Sequence, residues 1–559
     1  MPSKIADLSF QRRHPDMSVQ FKDYVPPLFN SLPRWGERVW GLFSSFTVPT
    51  YRDVRFSLER RDNMSNQYDV IVIGAGIGGL STGLHLLDKG YKTLILEAHT
   101  LPGGLCTSFE RKGYTIDTSI HWLVGCIEGG GVWHTLNRFN LLPEVKLRRL
   151  EQLATIRTPE HEVTIGDDVG EYERFLCRLF PSDERELVRF FKRAKSLPRM
   201  IEHSPEDRKR HPFKSLGSLF SYWPLIMLAF QFGKLSYDSY LKRFKEKPRI
   251  RPYLSVFTDD SSVLINFYLF SWLHQQDLYT PQVNSLGFSR AFESRFKAMG
   301  GEIRYNARVS KILVNDGIVK GVNLENGEEI YAKTVVSNAD GYQTLFQLLG
   351  KEFVPPSLVH LYETAPLFGS MLLVSLGVNQ VLTEKDMPAR MLSECVTAET
   401  TGVKLADLDK APVTYKLESL YNPAVAPPGK SLLLFEAMAD FNEWKTLRQN
   451  GARYREAKQM AGEIVLRRTE TCFPQLKGKL EVIDVATPVT FERYTCNREG
   501  SIQGWRPTPA MIRHMNLPWR PTHLPNLFMV GQWISVGGGI PPSVMGGEKV
   551  AGLVAKYIK

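Results

Sequence analysis

The sequence has few cysteines and no long apolar run. Its six cysteines are scattered over 559 residues, with no C-x-x-C pair and no His–Cys cluster at the spacing of metal ligands. No metal site and no disulfide framework are therefore expected. No run of about 18 apolar residues occurs, and the N-terminal region lacks the apolar stretch and cleavage site of a secretory signal. These absences predict a cytoplasmic protein, in a reducing compartment, without a transmembrane span.

The composition argues against disorder and against a polytopic membrane protein. Hydrophobic residues make up 43% and charged residues 23% of the chain, which is close to the average for soluble proteins. The formal net charge of +11 suits simple solubility, an anionic membrane surface or nucleic acid. No nucleic-acid-binding motif is present, and the aromatic residues do not alternate with a basic stripe. Nucleic acid is therefore not expected as a partner.

Residues 1–66 form a basic, aromatic-rich extension. Trp35, Val39, Leu42, Phe43 and Phe46 recur at the spacing of one helix face. This pattern predicts a helix that docks either on the protein's own surface or on a lipid surface.

A βαβ unit is predicted immediately after this extension. The run Val70–Ile73 is typical of a parallel strand buried on both faces, and a second strand is expected at Lys92–Leu96. The segment Gly74–Gly79 between them has the G-x-G-x-x-G pattern. Its first glycine permits a tight turn, the second lets the backbone approach a pyrophosphate, and the third lets helix and strand pack closely.

The acid at the end of the second strand completes a dinucleotide-binding pattern. Glu97 follows Gly74 by 23 residues, where a carboxylate can accept hydrogen bonds from an adenosine ribose. Phosphates are favoured by the free N–H groups and the dipole at the helix start. The pattern alone leaves NAD and FAD open.

Later blocks complete the predicted nucleotide-binding domain. Residues 301–337 alternate short strands with turn signals at Asn315–Gly317 and Asn326-Gly327, which predicts a strand, a hairpin and a return strand. A further apolar strand at Leu527–Val530 precedes a glycine-rich turn and a closing helix from about Ser543. We therefore expect an α/β fold: a Rossmann-type FAD-binding domain interleaved with an α+β substrate domain, in an amine-oxidase-like flavoprotein architecture. The expected parts are an extension (1–66), the FAD-binding domain (67–149, 285–345 and 521–559) and the substrate domain (150–284 and 346–520).

The segment Leu101–Leu105 resembles the flavoprotein superfamily of amine oxidases, phytoene desaturases, carotenoid isomerases and retinol saturase. In that superfamily a Gly-Gly pair, here Gly103-Gly104, runs close to the flavin nucleotide and is usually followed by Arg. This chain has Leu105 there, which weakens the amine-oxidase reading more than the carotenoid-isomerase or saturase readings. The resemblance implies bound FAD.

Two other parts of the chain extend the resemblance. Residues 300–309 with Ser337–Asp340 look like the family's second FAD segment, in which the backbone of Val309 approaches the adenine. Residues 526–532 and 537–547 look like the closing FAD segment, whose glycines lie against the isoalloxazine ring. The implied FAD-binding residues are Gly74, Ala75, Gly76, Gly79, Glu97, Ala98, Gly103, Gly104, Leu105, Val309, Asn338, Gly531, Gly538, Gly539 and Ile540.

Candidate reacting residues are fewer. In the family, the segment that ends at His121 lies near the flavin, so this histidine is either a proton donor or acceptor or a structural hydrogen-bonding residue. Arg493, Tyr494 and Trp505 lie in a stretch that resembles the family's re-entry into the flavin domain. They either line a substrate tunnel or fill a core.

The resemblance implies an FAD-dependent oxidoreductase that acts on carbon–carbon double bonds of a long apolar lipid, such as a carotenoid or retinoid. Desaturation, saturation and cis-trans isomerisation remain open, as does the electron donor or acceptor. One alternative is a flavin amine oxidase or a fatty-acid double-bond isomerase. Another is an FAD-free lipid carrier of the GDP-dissociation-inhibitor type, which the intact glycine pattern and Glu97 disfavour.

A peripheral membrane contact is predicted at Leu219–Phe232. These 14 residues are apolar except for Ser221 and Gln231, and as a helix they extend only about 21 Å, short of a hydrocarbon core of roughly 30 Å. Basic residues flank the stretch on both sides, as anionic headgroups favour. Docking is assigned to Trp223, Ile226 and Phe230. A buried helix pair in the substrate domain is the alternative. The flanking basic residues are Arg208, Lys209, Arg210, Lys214, Lys234, Lys242, Arg243, Lys245 and Lys247.

Overall fold

The computed structural model describes residues 68–197, 223–254, 260–387, 389–394, 402–512, 514 and 517–559. The predicted helix around Trp35–Phe46, the basic residues 208–214 and the start of the apolar stretch at 219–222 lie outside the described residues.

The strands of the described residues form two large sheets and two small ones. In chain order they are β1 (Tyr68–Ile73), β2 (Thr93–Leu96), β3 (Ser108–Arg111), β4 (Tyr114–Asp117), β5 (Leu147–Arg149), β6 (Gln152–Arg157), β7 (Glu162–Gly166), β8 (Tyr279–Pro281), β9 (Glu302–Arg304), β10 (Val309–Asn315), β11 (Ile318–Leu324), β12 (Glu329–Ser337), β13 (Ser370–Val378), β14 (Met391–Glu394), β15 (Val413–Leu417), β16 (Ser431–Ala439), β17 (Leu480–Ala486) and β18 (Leu527–Met529).

Helices cover these sheets and link their strands. The α-helices are α1 (Ile77–Asp88), α2 (Gly131–Arg138), α3 (Leu142–Val145), α4 (Val169–Leu179), α5 (Glu184–Lys195), α6 (Trp223–Phe232), α7 (Tyr237–Leu241), α8 (Lys247–Ile250), α9 (Val263–His274), α10 (Ser285–Ala298), α11 (Pro356–Thr364), α12 (Phe441–Arg448), α13 (Gly451–Cys472), α14 (Pro488–Thr495), α15 (Pro509–Ile512) and α16 (Ile540–Ile558). A π-helix spans Gln343–Leu349. Short 3-10 turns occur at Pro181–Asp183, Arg251–Tyr253, Lys351–Phe353, Leu405–Asp407, Glu418–Leu420, Pro423–Val425, Pro474–Leu476, Arg498–Gly500 and Gln532–Ile534.

The first large sheet has the order β10-β11-β12-β1-β2-β9, with β18 also paired to β12. The strands β1, β2, β9, β12 and β18 run parallel, so the predicted βαβ unit is confirmed. The predicted hairpin is also confirmed, because β10 and β11 pair antiparallel across Asp316-Gly317, both with positive φ. The closing helix begins at Ile540 rather than near Ser543.

This sheet is buried on both faces. Val70 and Val72 pack with α1, α10 and α16 on one side, and Ile71 and Ile73 pack toward the β10–β11 hairpin on the other. Both sets of side chains are almost completely buried, which explains the continuous apolar run in β1. The α/β, Rossmann-type architecture predicted from the sequence is confirmed.

The second large sheet has the order β17-β13-β16-β15-β14-β6-β7, antiparallel except for the β14–β6 pair. One face packs on α13, with Phe435 and Leu433 turned toward Ala461 and Val465. Alternate residues of β16 point to the opposite face, where Leu432 and Leu434 pack with the β3–β4 hairpin. The β3–β4 hairpin, which follows Gly103-Gly104 in the chain, therefore packs on this face of the second sheet. The limits of the two domains remain a prediction.

Within the described residues, no helix is both long enough and apolar enough to cross a bilayer.

Candidate functional site

The glycine loop between β1 and α1 has a backbone that larger residues would disturb. Gly74 has φ of +94°, a region that favours glycine. A Cβ atom on Gly79 would collide with the carbonyl oxygen of Gly74. Gly76 stands at the N-cap of α1 and no side chain caps this helix end, so its first N–H groups are available to an anion.

Glu97 is fixed beside this loop. Its Oε2 accepts a hydrogen bond from the Ala75 N–H at 2.7 Å, and its Oε1 accepts one from the His99 N–H at 2.8 Å. A carboxylate has about four acceptor positions, so two remain for the hydroxyls of a ribose. Glu97 and its neighbour Ala98 are half-buried.

The second glycine segment lies directly against the first. The Gly103 N–H donates to the Ala75 carbonyl at 2.8 Å, and Gly103 forms a parallel bridge with Gly76. Gly104 is exposed, with φ of +62°, and a Cβ there would lie 3.7 Å from the Cα of Gly76. Two side-chain-free segments therefore share one groove.

The third part of the groove comes from the carboxyl ends of β12 and β18. The Asn338 N–H donates to the Ile73 carbonyl at 2.8 Å, and a Cβ on Gly76 would lie 2.5 Å from Nδ2 of Asn338. A Cβ on Gly531 would collide with the same side chain. Ligands of open parallel sheets bind at this edge.

Four further predicted cofactor residues lie at the starts of α16 and β10. Gly538 and Gly539 both have positive φ and lead into Ile540 at the start of α16, which packs on α1 through a hydrogen bond from Ser81 Oγ to the Val544 carbonyl. Val309 begins β10 and is buried. The nearby Ala307 N–H donates to the Glu97 carbonyl at 2.9 Å. A groove lined by glycines, with a fixed carboxylate at one end, fits the pyrophosphate and ribose of FAD.

Leu105 introduces an apolar surface beside the glycines. It is half-buried and, like Met371 and Ile502, packs against the buried cluster between the β3–β4 hairpin and the second sheet. Leu105 therefore presents an apolar side chain next to Gly104.

His121 is held close to this region by a hydrogen-bonded segment. Oδ2 of Asp117 accepts the Ser285 N–H at 2.9 Å, and Ser285 Oγ accepts the Ile120 N–H at 3.2 Å. Thr118 Oγ1 donates to the Thr107 carbonyl at 2.9 Å. These bonds place His121 alongside the chain that follows Gly104, and they give Asp117 a structural role.

The imidazole of His121 is paired with a buried carboxylate. Its Nε2 lies 2.6 Å from Oε2 of Glu436, and its Nδ1 lies 3.0 Å from the Ser119 carbonyl oxygen. Burial alone raises the pKa of Glu436, but the charge and hydrogen bond of His121, together with the charge of Lys416, hold that pKa below its ordinary value. The carboxylate is therefore ionised near neutral pH.

Three more charged side chains are buried near Glu436. Glu418 forms ion pairs with Lys416 and with Arg390, whose Nη2 lies 2.8 Å from Oε2 of Glu418. Burial raises the pKa of Glu418, yet Arg390 and Lys416 together bring it below the usual value. Asp117 faces the same group, and burial raises its pKa. Buried charges are costly unless they are paired, so this cluster fixes its own geometry.

The sequence did not lead us to Glu436, Lys416, Glu418 and Arg390. A signal existed, because Lys416 and Glu436 stand in strands that are otherwise largely apolar. A charge inside such a strand indicates a paired buried group.

The structure gives the three predicted tunnel residues different surroundings. Trp505 is completely buried, contacts the rings of Tyr362 and Trp533, and donates its Nε1–H to the Trp533 carbonyl at 2.9 Å. Tyr494 is 46% exposed and lies against His99, with Arg493 over its ring. A tunnel role for these residues remains a prediction.

Helix α6 exposes one apolar face. Trp223, Met227 and Phe230 are 57%, 48% and 71% exposed, at helical spacing, while Leu228 and Phe232 are buried in the core. Ile226 is half-buried, and the sequence reading had not singled out Met227. The helix is thus neither fully buried nor long enough to span a bilayer.

Comparison with known proteins identifies relatives across most of the chain. The model of the family described as flavin containing amine oxidoreductase matches residues 77–555. Prolycopene isomerase 2, chloroplastic, of an Oncidium hybrid cultivar is 25% identical over 526 residues, covering 88% of this chain and 84% of its own. All-trans-retinol 13,14-reductase of Rattus norvegicus is 24% identical over 538 residues, covering 86% and 84%. The crystal structure of an oxidoreductase from Methanosarcina mazei superposes with a TM-score of 0.56 at 17% identity, covering 86% of this chain and 99% of its own.

Proposed function

We propose that this chain, which belongs to the flavin containing amine oxidoreductase family and is an FAD-dependent enzyme, acts on carbon–carbon double bonds of a long apolar lipid. Carotenoids, retinoids and other isoprenoids are the substrate class. The names of two relatives, a prolycopene isomerase and a retinol 13,14-reductase, support this proposal. The proposed activity covers desaturation, saturation and cis-trans isomerisation of these double bonds.

The observation that carries the proposal is the apolar surface beside the second glycine segment. Leu105 adjoins Gly104, and Leu105, Met371 and Ile502 are half-buried and pack against the same apolar cluster. Apolar lining with few polar groups is typical of sites for apolar ligands. A water-soluble amine would gain little binding free energy from these apolar contacts. A polyene would gain about 25 cal/mol for each Å² of its apolar surface that is removed from water.

The chain's own residues bind and orient the reactants. We propose that Gly74, Gly76, Gly103 and Gly104 receive the FAD pyrophosphate and that Glu97 accepts the ribose hydroxyls. When bound, FAD supplies hydride exchange with an allylic carbon. The apolar side chains position that carbon and exclude water, because such chemistry depends more on orientation than on a nucleophile.

We also propose that α6 docks on an anionic membrane surface. Its exposed face carries Trp223 and Phe230, and Lys234, Lys242 and Lys245 are exposed just beyond it. Apolar side chains flanked by lysines are typical of peripheral docking. A water-insoluble substrate would then reach the enzyme from the bilayer without crossing water.

Flavin spectroscopy tests the substrate class. The FAD-loaded enzyme is titrated anaerobically with detergent-dispersed polyenes, and in parallel with a water-soluble primary amine. We expect a saturable change in the flavin absorption spectrum with a polyene and no bleaching by the amine. Bleaching by the amine, with no response to any polyene, would transfer support to the amine-oxidase alternative.

A further inference from the structure

Gly78 is a glycine that the dinucleotide-binding pattern does not require. The pattern gives roles to the first, second and fourth glycines of Gly74–Gly79. Gly78 is the third, and it stands in the first turn of α1, where alanine would favour the helix more. A Cβ atom on Gly78 would lie 2.6 Å from Oδ1 of Asn338 and 3.0 Å from the Cα of Gly531. The missing side chain therefore leaves room for Asn338 and Gly531.

The carboxamide of Asn338 lies in the glycine groove. Its backbone is held at the end of β12 by the hydrogen bond to the Ile73 carbonyl, and its side chain approaches glycines of two other segments. Nδ2 lies 2.5 Å from the position of a Cβ on Gly76, and Oδ1 would collide with a Cβ on Gly531. Asn338 is half-buried, and no residue in the described part of the chain forms a hydrogen bond with its carboxamide. The groove therefore contains an amide group without a partner from the described chain, which calls for an explanation.

The two ends of this carboxamide have different surroundings. Oδ1 lies toward Gly78 and Gly531, beside the first turn of α1, where free N–H groups and the positive end of the helix dipole favour an acceptor. Nδ2 lies toward Gly76, and the Cβ position that it approaches is 3.8 Å from the Gly103 carbonyl oxygen. The amide nitrogen has two donor hydrogens. These donors therefore lie where the two glycine segments meet.

We propose that Asn338 donates a hydrogen bond from Nδ2 to the pyrophosphate of FAD, and that Gly78 and Gly531 lack side chains so that the carboxamide fits beside them. The inference rests on the proposed function, because it takes the glycine groove as the FAD site. Pyrophosphate oxygens are anionic acceptors, and hydrogen bonds to a charged group are shorter and stronger than neutral ones. Asn338 thus adds a side-chain donor to the backbone N–H groups of the groove.

The first test compares the FAD affinities of Asn338→Ala and Asn338→Asp, measured by flavin fluorescence on adding FAD to the apoprotein. We expect Asn338→Ala to weaken binding about 10-fold to 100-fold, the size of a lost hydrogen bond to a charged group. Asn338→Asp keeps the shape of the side chain but places a carboxylate against the pyrophosphate, so it should bind FAD more weakly than Asn338→Ala. If Asn338 only fills space, the aspartate variant binds FAD more tightly than the alanine variant, and that order would overturn the proposal.

ADP locates the contact on the cofactor. It carries the pyrophosphate and the ribose but lacks the flavin, and its affinity is measured by its competition with FAD for the apoprotein. We expect Asn338→Ala and Asn338→Asp to weaken ADP binding by factors similar to those for FAD. An unchanged ADP affinity in the two variants would place the contact of Asn338 outside the pyrophosphate and would contradict the proposal.

A double-mutant cycle tests the link between Gly78 and Asn338. Gly78→Ala should weaken FAD binding, because its Cβ atom would displace the carboxamide. Asn338→Ala removes the carboxamide, so Gly78→Ala should have a smaller effect in that background. Equal fold-losses in the two backgrounds would show that Gly78 does not act through Asn338 and would contradict the proposal. The cycle contains no aspartate, so it decides the matter even if Asn338→Asp does not fold.

Asn379→Asp is the matched control. Asn379 is exposed just after β13 of the second sheet, and the same exchange there should leave the affinities for FAD and ADP unchanged. A loss as large as that in Asn338→Asp would show that the added charge weakens binding regardless of its position, and would count against the contact. FAD and ADP binding require no lipid, so these results stand whether or not polyenes are converted. Failure of this inference is therefore distinguishable from failure of the proposed function.

Discussion

The N–H of Ala75 donates a hydrogen bond to Oε2 of Glu97 at 2.7 Å. This contact joins the glycine loop after β1 to the end of β2 and, with the hydrogen bond from the His99 N–H, orients the carboxylate. A carboxylate held by the backbone has little conformational freedom to lose on binding, which lowers the entropic cost of ordering the site.

Removal of this carboxylate should weaken cofactor binding. We expect Glu97→Ala to lower FAD affinity about 10-fold to 100-fold, because hydrogen bonds to a charged group contribute about 1.5–3 kcal/mol each. The dissociation constant is measured by flavin fluorescence on adding FAD to the apoprotein. Glu110→Ala, at an exposed position on β3, is the control and should match wild type. Equal affinities for the two variants would refute the ribose assignment.

A side chain at Gly76 should displace the cofactor. The first atom of such a side chain would lie 2.5 Å from Nδ2 of Asn338 and 3.8 Å from the Gly103 carbonyl oxygen, so the residues that line the groove would have to shift. We expect Gly76→Val to be purified without flavin, as measured by absorbance after heat release. A Cβ on Gly552 of α16 would lie within 4 Å of no atom outside its own stretch of helix, so Gly552→Val should retain FAD. Full occupancy in Gly76→Val would show that the pyrophosphate does not approach this glycine.

The exposed face of α6 should be required for membrane binding. A triple variant that combines Trp223→Glu, Ile226→Glu and Phe230→Glu should be released from anionic liposomes, while its flavin spectrum and Tm stay unchanged. Co-sedimentation measures the bound fraction, and binding by wild type should fall as salt is raised. Met460→Glu, at an apolar residue on α13 that is 47% exposed, should not affect binding. If the triple variant unfolds, these side chains are core and the docking proposal fails.

The buried imidazole of His85 should make stability depend on pH. Its ring is 2% exposed, stacks edge-on against Phe139, and its Nε2 has no hydrogen-bond partner among the described residues. Burial lowers its pKa to about 3, so the native state stays neutral where the unfolded chain, with a pKa of 6.5, binds a proton. The neutral, buried imidazole therefore contributes fully to the free energy of unfolding above pH 6.5, and this contribution is lost as the pH falls toward 3.

His85→Leu removes that dependence. Between pH 6 and pH 4, we expect the free energy of unfolding of wild type to fall more steeply than that of the variant, by about 1.4 kcal/mol per pH unit. Urea unfolding of both proteins at a series of pH values measures the difference. Parallel pH dependence in the two proteins would show that His85 is protonated in the native state.

The nucleotide-binding half of the fold was predictable because its signals are local. The run Val70–Ile73, the glycines from Gly74 to Gly79 and the Asp316-Gly317 turn each determine backbone geometry within a few residues. Parallel pairing then brings distant segments, such as those at Asn338 and Gly531, to one edge of the sheet.

The charges at Lys416 and Glu436 inside apolar strands indicate paired buried groups, but the pairing partners were not predictable, because they meet only in the folded chain. His121 and Glu436 lie on different elements, and nothing near His121 indicates a carboxylate partner.

The exposed face of helix α6 could not be predicted from the sequence either. Its sequence is apolar on all sides, so periodicity could not indicate that Trp223 and Phe230 face outward while Phe232 is buried. Tertiary packing determines which face of such a helix is buried.

Product analysis tests the central claim most directly. The FAD-loaded enzyme is incubated anaerobically with a panel of carotenoids and retinoids, once with oxidised and once with pre-reduced flavin, and the products are separated by chromatography and identified by mass and NMR. We predict that at least one polyene is desaturated, saturated or isomerised, and that its conversion depends on the redox state of the flavin. No change in any polyene in either state, together with oxidation of a water-soluble amine, would contradict the claim.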